Sequence, residues 1–541
     1  MNCPAGQRLA AGFLGPPRMR RLKIRKGCDV LPTRSQLALR NLVTSLMLQT
    51  LLFISGMLLP HFFLLVYGST VNGMVTSVSN IISYMALVEA GITSSAAVAL
   101  YRPLLQQDTE ARNRALSAAA SFYTRSGLIY ALLLTVMVAV YPVLVESQLD
   151  SSLTRWMIVV LAAGNLFNYL LIGKYRVLAT ADQKLYICNL YRCLEVIGTM
   201  TVTLLLIRIR ANAALVKAAG AFFGIGSGLL VVLYVRRHYA GLDFRRPFAK
   251  DMLSQRWSAL AHQVAGVVTG SIGTVLVTAF TGARSLVETS IYGVYELVAW
   301  GLRSIITTFA NGIVSGFGQL FAMDDQRLIR RAASNFEYLY QLIAFVCYGC
   351  MGYLILPFVA LYTAGADVDY VRPAVGLLFT AVGFLQSIRQ PGIVLINAAG
   401  HFRQTRRRAV IEAAIVALLS LALVRPLGMI GVLLGSLAGA VYRTADVLIY
   451  VERHLVPGML TTTLLRLLRG LAAAGVGLWL VSLTGLSAAG SWFNWFGTAV
   501  VTALLLGLTV GGAAFLTEPD EMKQLFGRLK EVLHRRKSGR S

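Results

Sequence analysis

Five arginines lie within stretches of the sequence that are otherwise apolar. A guanidinium group surrounded by hydrocarbon is costly unless it faces other protein groups or a water-filled cavity. The guanidinium fork also binds phosphate oxygens two at a time. The pattern therefore indicates a cationic cavity for a substrate that carries a phosphate or pyrophosphate group, and its candidate binding residues are Arg125, Arg192, Arg303, Arg389 and Arg443.

Acidic residues also lie in apolar stretches, among them Glu89, Glu296 and Asp446. Ionisable residues inside a membrane often belong to proton relays or ion pathways. These three residues are therefore candidates for coupling transport to H⁺ or Na⁺. Apart from such an ion, the sequence indicates no cofactor and no bound metal.

Local ion pairs are the alternative interpretation for several of these residues, because side chains three or four positions apart meet on one helix face. Arg192 and Glu195, and Arg443 and Asp446, are each three positions apart, and Glu296 and Arg303 are seven apart. Arg192, Arg389 and Arg443 also lie close enough to one end of their apolar stretches for their side chains to reach the membrane surface.

The composition requires membrane-spanning helices to position these residues. Hydrophobic residues make up 56% of the 541 residues and charged residues only 14%, whereas about a quarter of a soluble domain is charged. In a hydrocarbon core only helices or closed barrels satisfy the backbone. We predict an all-α polytopic membrane protein with about 14 transmembrane helices, near 42–66, 73–99, 117–145, 155–179, 187–208, 213–235, 258–281, 289–321, 336–363, 370–398, 408–426, 428–451, 465–485 and 493–516.

The distribution of charge indicates topology rather than nucleic-acid binding. The formal net charge is +26. With the N-terminus in the cytoplasm, most Lys and Arg residues fall in cytoplasmic segments, as the positive-inside rule requires. Both termini are therefore expected in the cytoplasm, no nucleic-acid partner is expected, and the basic amphipathic C-terminal segment is expected to lie on the lipids of the inner leaflet.

An internal repeat indicates two similar halves. The related strings VLATADQK and VLINAAGHFRQ begin at Val177 and Val394, and two helices carry a glycine at every fourth position, at 220, 224 and 228 and at 431, 435 and 439. Such stripes allow close helix packing. Parallel repeats of this kind predict a basic cytoplasmic tail at 1–40, a six-helix lobe at 41–250, a second six-helix lobe at 251–455, two additional transmembrane helices at 456–516 and a basic tail at 517–541.

The segment from Leu58 to Gly91 predicts one helix end, an external turn at residues 67–69 and a returning helix that carries Glu89. Arg303 lies at the corresponding place in the second half. We therefore predict that Glu89 and Arg303 meet at the interface between the lobes in one state of the protein. A second interruption is predicted in helix 10, at residues 389–392, because proline removes a backbone donor there.

Several strings resemble the polysaccharide-exporting branch of the multidrug/oligosaccharidyl-lipid/polysaccharide (MOP) flippase superfamily, the O-antigen-flippase-like proteins. They are LLVYGSTVNG, EAG at 89–91, ADQK at 181–184, LPFVALYT from Leu356, DYVRP from Asp369 and AAGHFRQT at 398–405. The resemblance covers roughly residues 41 to 455. It implies two six-helix lobes around a cavity that opens alternately to each side.

The resemblance also implies a function and partners. The substrate would be an oligosaccharide linked to undecaprenyl pyrophosphate, moved from the inner to the outer leaflet of a bacterial inner membrane, commonly at the expense of an ion gradient. Other proteins of polysaccharide assembly would be partners. No feature of the sequence indicates an oligomeric state.

Three other functions would leave different features in the sequence. A peptidoglycan-precursor flippase also needs a cationic cavity and fourteen helices, so it remains an alternative. An ion-coupled multidrug exporter of the same superfamily would need acidic cavity residues, whereas the excess here is arginine. An enzyme is not expected, because the sequence has no Walker A loop, HExxH pair or nucleophile elbow, and a membrane glycosyltransferase would present a long external loop.

Overall fold

Helices form the framework of the computed structural model, which describes residues 34–89, 92–145, 148–247, 256–311, 317, 320–321 and 325–519. No strand occurs among these residues. The helices are α1 Arg34–Met85, α2 Ile92–Gln106, α3 Thr109–Val145, α4 Ser151–Phe167, α5 Gly173–Ala181, α6 Leu185–Arg208, α7 Ala213–His238, α8 Arg256–Phe280, α9 Ser285–Asn311, α10 Gln326–Tyr362, α11 Pro373–Ile388, α12 Gln390–Ala398, α13 Phe402–His454, α14 Leu460–Leu483 and α15 Trp492–Thr517. The prediction of an all-α fold is confirmed.

Within the described ranges, nine helices are long and apolar enough to cross a membrane. Two of them, Arg40–Glu89 with 50 residues and Gln404–His454 with 51 residues, would extend about 75 Å at 1.5 Å per residue. That is more than twice the hydrocarbon core of about 30 Å. The count of fourteen crossings stays a prediction.

A glycine breaks each of these two long helices. Gly68 has φ 79° and ψ 171° inside α1, and Gly428 has φ 57° and ψ −136° inside α13. Residues with a side chain rarely adopt such angles, so glycine allows the chain to turn there. The break at Gly68 lies within the turn predicted at residues 67–69, and Gly428 begins the twelfth predicted span. The predicted interruption at 389–392 is also observed, because Arg389 separates α11 from α12.

The buried core consists of two clusters that meet at α1. Nearly all members of the first cluster come from residues 63–235, and nearly all of the second from residues 276–459. The neighbours Phe63 and Leu64 belong to different clusters, and Leu286 at the start of α9 joins the first. Helix α1 therefore lies between the two halves of the chain, and the predicted lobe boundaries at 250 and 455 stay predictions.

Two contacts recur in the two halves. Asp108 caps the start of α3 and Asp325 caps the start of α10, each accepting two backbone N–H bonds. One turn later, Arg112 donates to the carbonyl of Ala240 and Arg330 donates to that of Gly458, both at 3.0 Å and both across 128 positions. The recurrence agrees with the internal repeat in the sequence, although these particular residues were not among the strings that indicated it.

The second glycine stripe packs closely, as predicted. The break at Gly428 divides α13 into a first leg and a second leg. A Cβ placed on Gly431, Gly435 or Gly439 of the second leg would come within 2.1–2.3 Å of Leu423, Ser420 or Val416 of the first leg. In the first stripe only the glycine at 228 has such a close approach, to Ile172. The stripe therefore brings the two legs of α13 into backbone proximity.

Candidate functional site

A small cavity in the second half contains two of the predicted site residues, Glu296 and Arg303. Helix α9 contributes both, together with Trp300, and these positions recur at helical spacing along one face. Helices α8, α11 and the second leg of α13 complete the wall, and the cavity measures about 60 Å³. It has room for about four to six waters. We call it the α9 pocket.

The polar groups of the α9 pocket bind different partners. An Arg303 Nη1 donates to the side-chain oxygen of Gln386 at 2.6 Å, and the Thr274 hydroxyl donates to Glu296 Oε2 at 3.1 Å. These two bonds take the place of a direct Glu296–Arg303 pair, which was the alternative interpretation of the sequence. The pocket therefore combines one base, one acid and one amide with aromatic side chains, among them Trp300.

A second group of charged residues lies where α11, α12 and the two legs of α13 meet. Arg389 Nη1 lies 2.6 Å from Glu412 Oε1, and Arg443 lies 3.6 Å from the other Glu412 oxygen and 2.6 Å from Asp446 Oδ2. Arg408 also pairs with Asp446. We call these five residues the charge cluster; it joins three predicted site residues to Glu412 and Arg408.

The charge cluster is mostly buried. The side chains of Arg443 and Asp446 are each 9% exposed, whereas that of Arg408 is 34% exposed. The predicted local pair of Arg443 and Asp446 is confirmed. Three guanidinium groups face two carboxylates, so the cluster keeps one uncompensated positive charge, and Arg408 is its most accessible member.

Sequence reasoning missed Glu412 and Arg408, although a signal was present. Arg408 and Glu412 are four positions apart on the first leg of α13, and Arg443 and Asp446 are three apart on the second leg. Each leg therefore carries one base and one acid on one face. When a tight turn joins two such legs, the base of each leg can pair with the acid of the other. Arg408 pairs with Asp446 in this way, and Arg443 with Glu412.

Three other predicted site residues lie apart from both groups. Glu89 ends a short 3₁₀ turn and accepts a hydrogen bond from the Tyr123 hydroxyl at 2.9 Å. Arg125 is exposed on α3, on the same face as Leu128 and Leu132, which are 63% and 65% exposed. Such an apolar exposed stripe is typical of a surface that faces lipid. Arg125 therefore does not join the other arginines in this conformation.

Arg192 is likewise exposed, on α6. The Glu195 carboxylate, its proposed local partner, accepts a 2.6 Å hydrogen bond from the Ser227 hydroxyl of α7 instead. Here the hydrogen bonds described above join Glu89 to Tyr123 and Arg303 to Gln386, and the meeting of Glu89 with Arg303 in one state of the protein stays a prediction.

A chain of hydrogen bonds fastens the two halves together beside the break at Gly68. Asn72 donates to Ser290, Ser290 and Tyr370 share a 2.7 Å bond, Tyr370 donates to Ser69 and Ser69 donates to Asp367. Each hydroxyl in this series can accept one hydrogen bond and donate the next. The series ends at the Asp367 carboxylate, whose negative charge polarises the hydrogen bonds before it. We call it the Ser69–Asp367 clasp.

The clasp is largely dry. Ser69, Ser290 and Tyr370 are at most 1% exposed. Tyr370 lies between the hydroxyls of Ser290 and Ser69, so it can accept a hydrogen bond from one while it donates to the other. Sequence reasoning predicted the turn but not its partner Asp367, which comes from the loop between α10 and α11.

An apolar cavity of about 240 Å³ lies beside α9 on the opposite side from the α9 pocket. Its walls come from α1, α9, α10 and the start of α15, including Phe53, Leu302, Met351 and Trp495. Cys347 and Cys350 also line it, so they serve as packing residues there. We call it the apolar cavity.

Comparisons with known proteins identify the fold. No protein-family model matches the chain, and no curated protein matches it in sequence. Among solved structures, a lipid II flippase MurJ in an inward closed conformation has a TM-score of 0.60 at 12% identity, covering 88% of this chain and 99% of its own. An inward-facing multidrug resistance MATE transporter of the MOP superfamily has a TM-score of 0.57 at 13% identity, covering 77% and 98%.

A MOP superfamily transporter from Pyrococcus furiosus, described as having a binding pocket of reverse polarity, has a TM-score of 0.53 at 11% identity and covers 77% of this chain and 96% of its own. These similar structures are transporters and flippases rather than enzymes. Together with the long apolar helices, they show that the chain is a multi-pass membrane protein with the fold of the MOP superfamily transporters.

Proposed function

We propose that this protein is a flippase that moves an oligosaccharide linked to undecaprenyl pyrophosphate from the inner to the outer leaflet of the bacterial inner membrane, for the synthesis of cell-surface polysaccharide. The observation that carries the proposal is the extent of the fold match. The lipid II flippase covers 88% of the chain, whereas the multidrug transporters cover 77%. Because that neighbour is described as a flippase for lipid II, the match supports a lipid-linked substrate.

The position of the last helices supports a lipid substrate. Helix α15 places Trp495 in the wall of the apolar cavity, and its indole donates to the carbonyl of Leu354 in α10. An apolar cavity of about 240 Å³ suits a segment of a hydrocarbon chain, because burial of each CH₂ group contributes about 0.8 kcal/mol. We therefore assign the polyprenyl tail to this side of α9.

The charge cluster supports a phosphate-bearing head group. Its net positive charge and the partial exposure of Arg408 allow a pyrophosphate to compete with Asp446 for the guanidinium groups. Arg389 and Arg443 would then bind the pyrophosphate in a state in which α11 lies farther from the two legs of α13. Arg125 and Arg192, which are exposed here, would act in the path of the head group only if their helices turn toward it.

The Ser69–Asp367 clasp supports alternating access. It joins the two halves on the side that the charge distribution assigns to the exterior, so its release would open that side. Glu89, Glu296 and Asp446 are the proposed residues for coupling to H⁺ or Na⁺. A peptidoglycan-precursor flippase is the second candidate function, because it needs the same tail and pyrophosphate contacts and differs only in the sugar.

Depletion of the protein tests the proposal. The expected result is an accumulation of one undecaprenyl-pyrophosphate oligosaccharide on the cytoplasmic leaflet, measured by its protection from an external glycosidase. Accumulation of lipid II instead would establish the second candidate. Normal lipid-linked sugars together with new sensitivity to cationic dyes would replace the proposal by drug export.

A further inference from the structure

The α9 pocket has the wrong charge balance for the pyrophosphate that sequence reasoning assigned to Arg303. Glu296 and Arg303 lie seven positions apart on the same face of α9 and both line the pocket, which corresponds to about 10 Å along the helix. A pyrophosphate that approached Arg303 would also be repelled by Glu296, whereas an organic cation attracted to Glu296 would be repelled by Arg303. The pair therefore favours an uncharged ligand.

The pocket is lined by groups that recognise hydroxyls and by aromatic surface. Arg303 and the Gln386 amide together provide donors, and Glu296 and Ser436 provide acceptors. Trp300, Tyr292 and Phe379 provide flat apolar faces. Tyr292 and Phe379 are nearly buried, while Trp300 is 45% exposed and so presents its ring to an entering ligand.

The size of the pocket limits the ligand to one ring. About 60 Å³ accommodates roughly four to six water positions, fewer than the about twelve heavy atoms of a hexose, so one edge of a ring with its hydroxyls enters and the rest of the ring lies at the mouth. The mouth lies at Gly270 and Trp300, because a Cβ on Gly270 would meet open space. Tyr84 of the first half lies nearby, with its hydroxyl 3.5 Å from the carbonyl of Val268 in α8. The mouth is therefore near the interface between the halves.

We infer that the α9 pocket binds one uncharged sugar ring of the substrate, with the ring stacked on Trp300 and its hydroxyls bonded to Glu296, Arg303 and Gln386. The C–H face of a pyranose is apolar and fits an aromatic face, while its hydroxyls point sideways toward polar groups. This inference rests on the proposed function, and it moves Arg303 from the pyrophosphate to the glycan. The pyrophosphate is left to the charge cluster.

The test uses the full-length protein in lipid nanodiscs and three probes: methyl β-glucoside, which is uncharged, methyl β-glucuronide, which is an anion, and tetraphenylphosphonium, which is a cation. Binding is measured by saturation-transfer NMR. The glucoside is expected to bind best. Trp300→Ala is expected to weaken it about tenfold, which corresponds to the roughly 1.4 kcal/mol of a good aromatic contact, and Trp300→Phe is expected to retain most of the binding.

Two further variants sharpen the test. Trp479→Ala, at a 60% exposed tryptophan on α14 outside the pocket, is the matched control and is expected to bind the glucoside normally. Glu296→Gln removes the acid and leaves Arg303, so the preference is expected to shift toward the glucuronide. Preferential binding of tetraphenylphosphonium, or glucoside binding that is absent or insensitive to Trp300→Ala, overturns the inference.

Failure of this inference can be told apart from failure of the proposed function. If the wild-type protein moves lipid-linked oligosaccharide in proteoliposomes but Trp300→Ala leaves glucoside binding unchanged, the flippase function stands and the sugar site is wrong. If Trp300→Ala weakens glucoside binding but no lipid-linked sugar is moved, the pocket is a sugar site in a protein with another transport substrate.

Discussion

The backbones of Gly73 and Leu286 touch across the two halves of the chain. A Cβ on Gly73 would lie 1.7 Å from the Leu286 carbonyl oxygen and 2.6 Å from its carbonyl carbon. Backbone atoms cannot move aside as a side chain can, so only glycine permits this approach. The adjacent Asn72 donates to Ser290 at 2.8 Å, which is the first hydrogen bond of the Ser69–Asp367 clasp. The contact between Gly73 and Leu286 therefore lies next to the Asn72 end of the clasp.

Substitution of Gly73 by alanine is expected to push α1 away from α9. The overlap is with backbone, so the cost is expected to reach or exceed the 1–3 kcal/mol that is typical of overpacking, roughly. A lower melting temperature in nanodiscs, followed by intrinsic fluorescence, checks this expectation. Gly56→Ala in the same helix is the matched control, because a Cβ there meets nothing within 4 Å. Equal melting temperatures for the two variants would contradict the argument.

Much of the fold could be predicted because hydrophobic runs specify spanning helices. Glycine and proline also mark breaks within such runs, and the irregular positions at Gly68, Arg389 and Gly428 lie at predicted boundaries. The Arg443–Asp446 pair could also be predicted from the sequence, because a spacing of three places two side chains on one helix face.

The rest of the site depended on how helices are rotated against each other. Spacing shows that Arg125 shares a face with Leu128 and Leu132, but not that this face is exposed. The spacing of Arg408 and Glu412 was a local signal, but the pairing of Glu412 with Arg389 was not, because Arg389 belongs to another helix. Asp367 lies in a loop 298 positions from Ser69, and no local pattern relates the two residues.

Removal of the Glu412 charge is expected to destabilise the charge cluster strongly. Glu412→Gln leaves Arg389 buried without a counter-charge and leaves Arg443 with Asp446 alone. Loss of one partner of a buried pair costs about 3–5 kcal/mol. Arg408→Gln is the comparison: its side chain is 34% exposed and Asp446 keeps Arg443, so about 1 kcal/mol or less is expected. Thermal unfolding measures both, and similar losses would refute the difference in role.

The end of α15 is expected to loosen in acid. Burial alone would raise the pKa of the Glu518 carboxyl, but hydrogen bonds and charge from Arg466, and then from Arg469, lower it below its usual range. A carboxyl with a depressed pKa in the folded state stabilises that state above its unfolded pKa, near 4.3 roughly, and this contribution disappears as the pH falls through the folded pKa.

Glu518→Gln is therefore expected to lower the melting temperature at pH 7 and to differ less and less from the wild type as the pH falls below about 4. Melting curves across that range measure the difference. Arg466, whose side chain is only 2% exposed, is an unsuitable site for the test because its removal would also leave a cavity. A difference that is independent of pH would show that Glu518 acts through packing alone.

Asp367 is expected to control opening of the side of the protein where the clasp lies. It accepts hydrogen bonds from the Ser69 N–H, at 3.1 and 3.2 Å, and from the Ser69 hydroxyl. Asp367→Ala removes the acceptor at the end of the hydrogen-bond chain, so the clasped state is expected to lose about 1–3 kcal/mol relative to the open state. The ratio of open to clasped protein then rises about 5- to 150-fold.

Spin labels on two exposed positions, Ile209 of the first half and Ala364 of the second, report this change as a longer component in the distance distribution. The neighbouring acid provides the control: Asp369 is 73% exposed and lies 3.7 Å from Arg372, so Asp369→Asn is expected to leave the distances unchanged. Ser69→Ala, which retains the backbone N–H bond, is expected to fall between the two. An unchanged distribution in Asp367→Ala would mean that packing at Gly73, rather than the hydrogen bonds, holds the halves together.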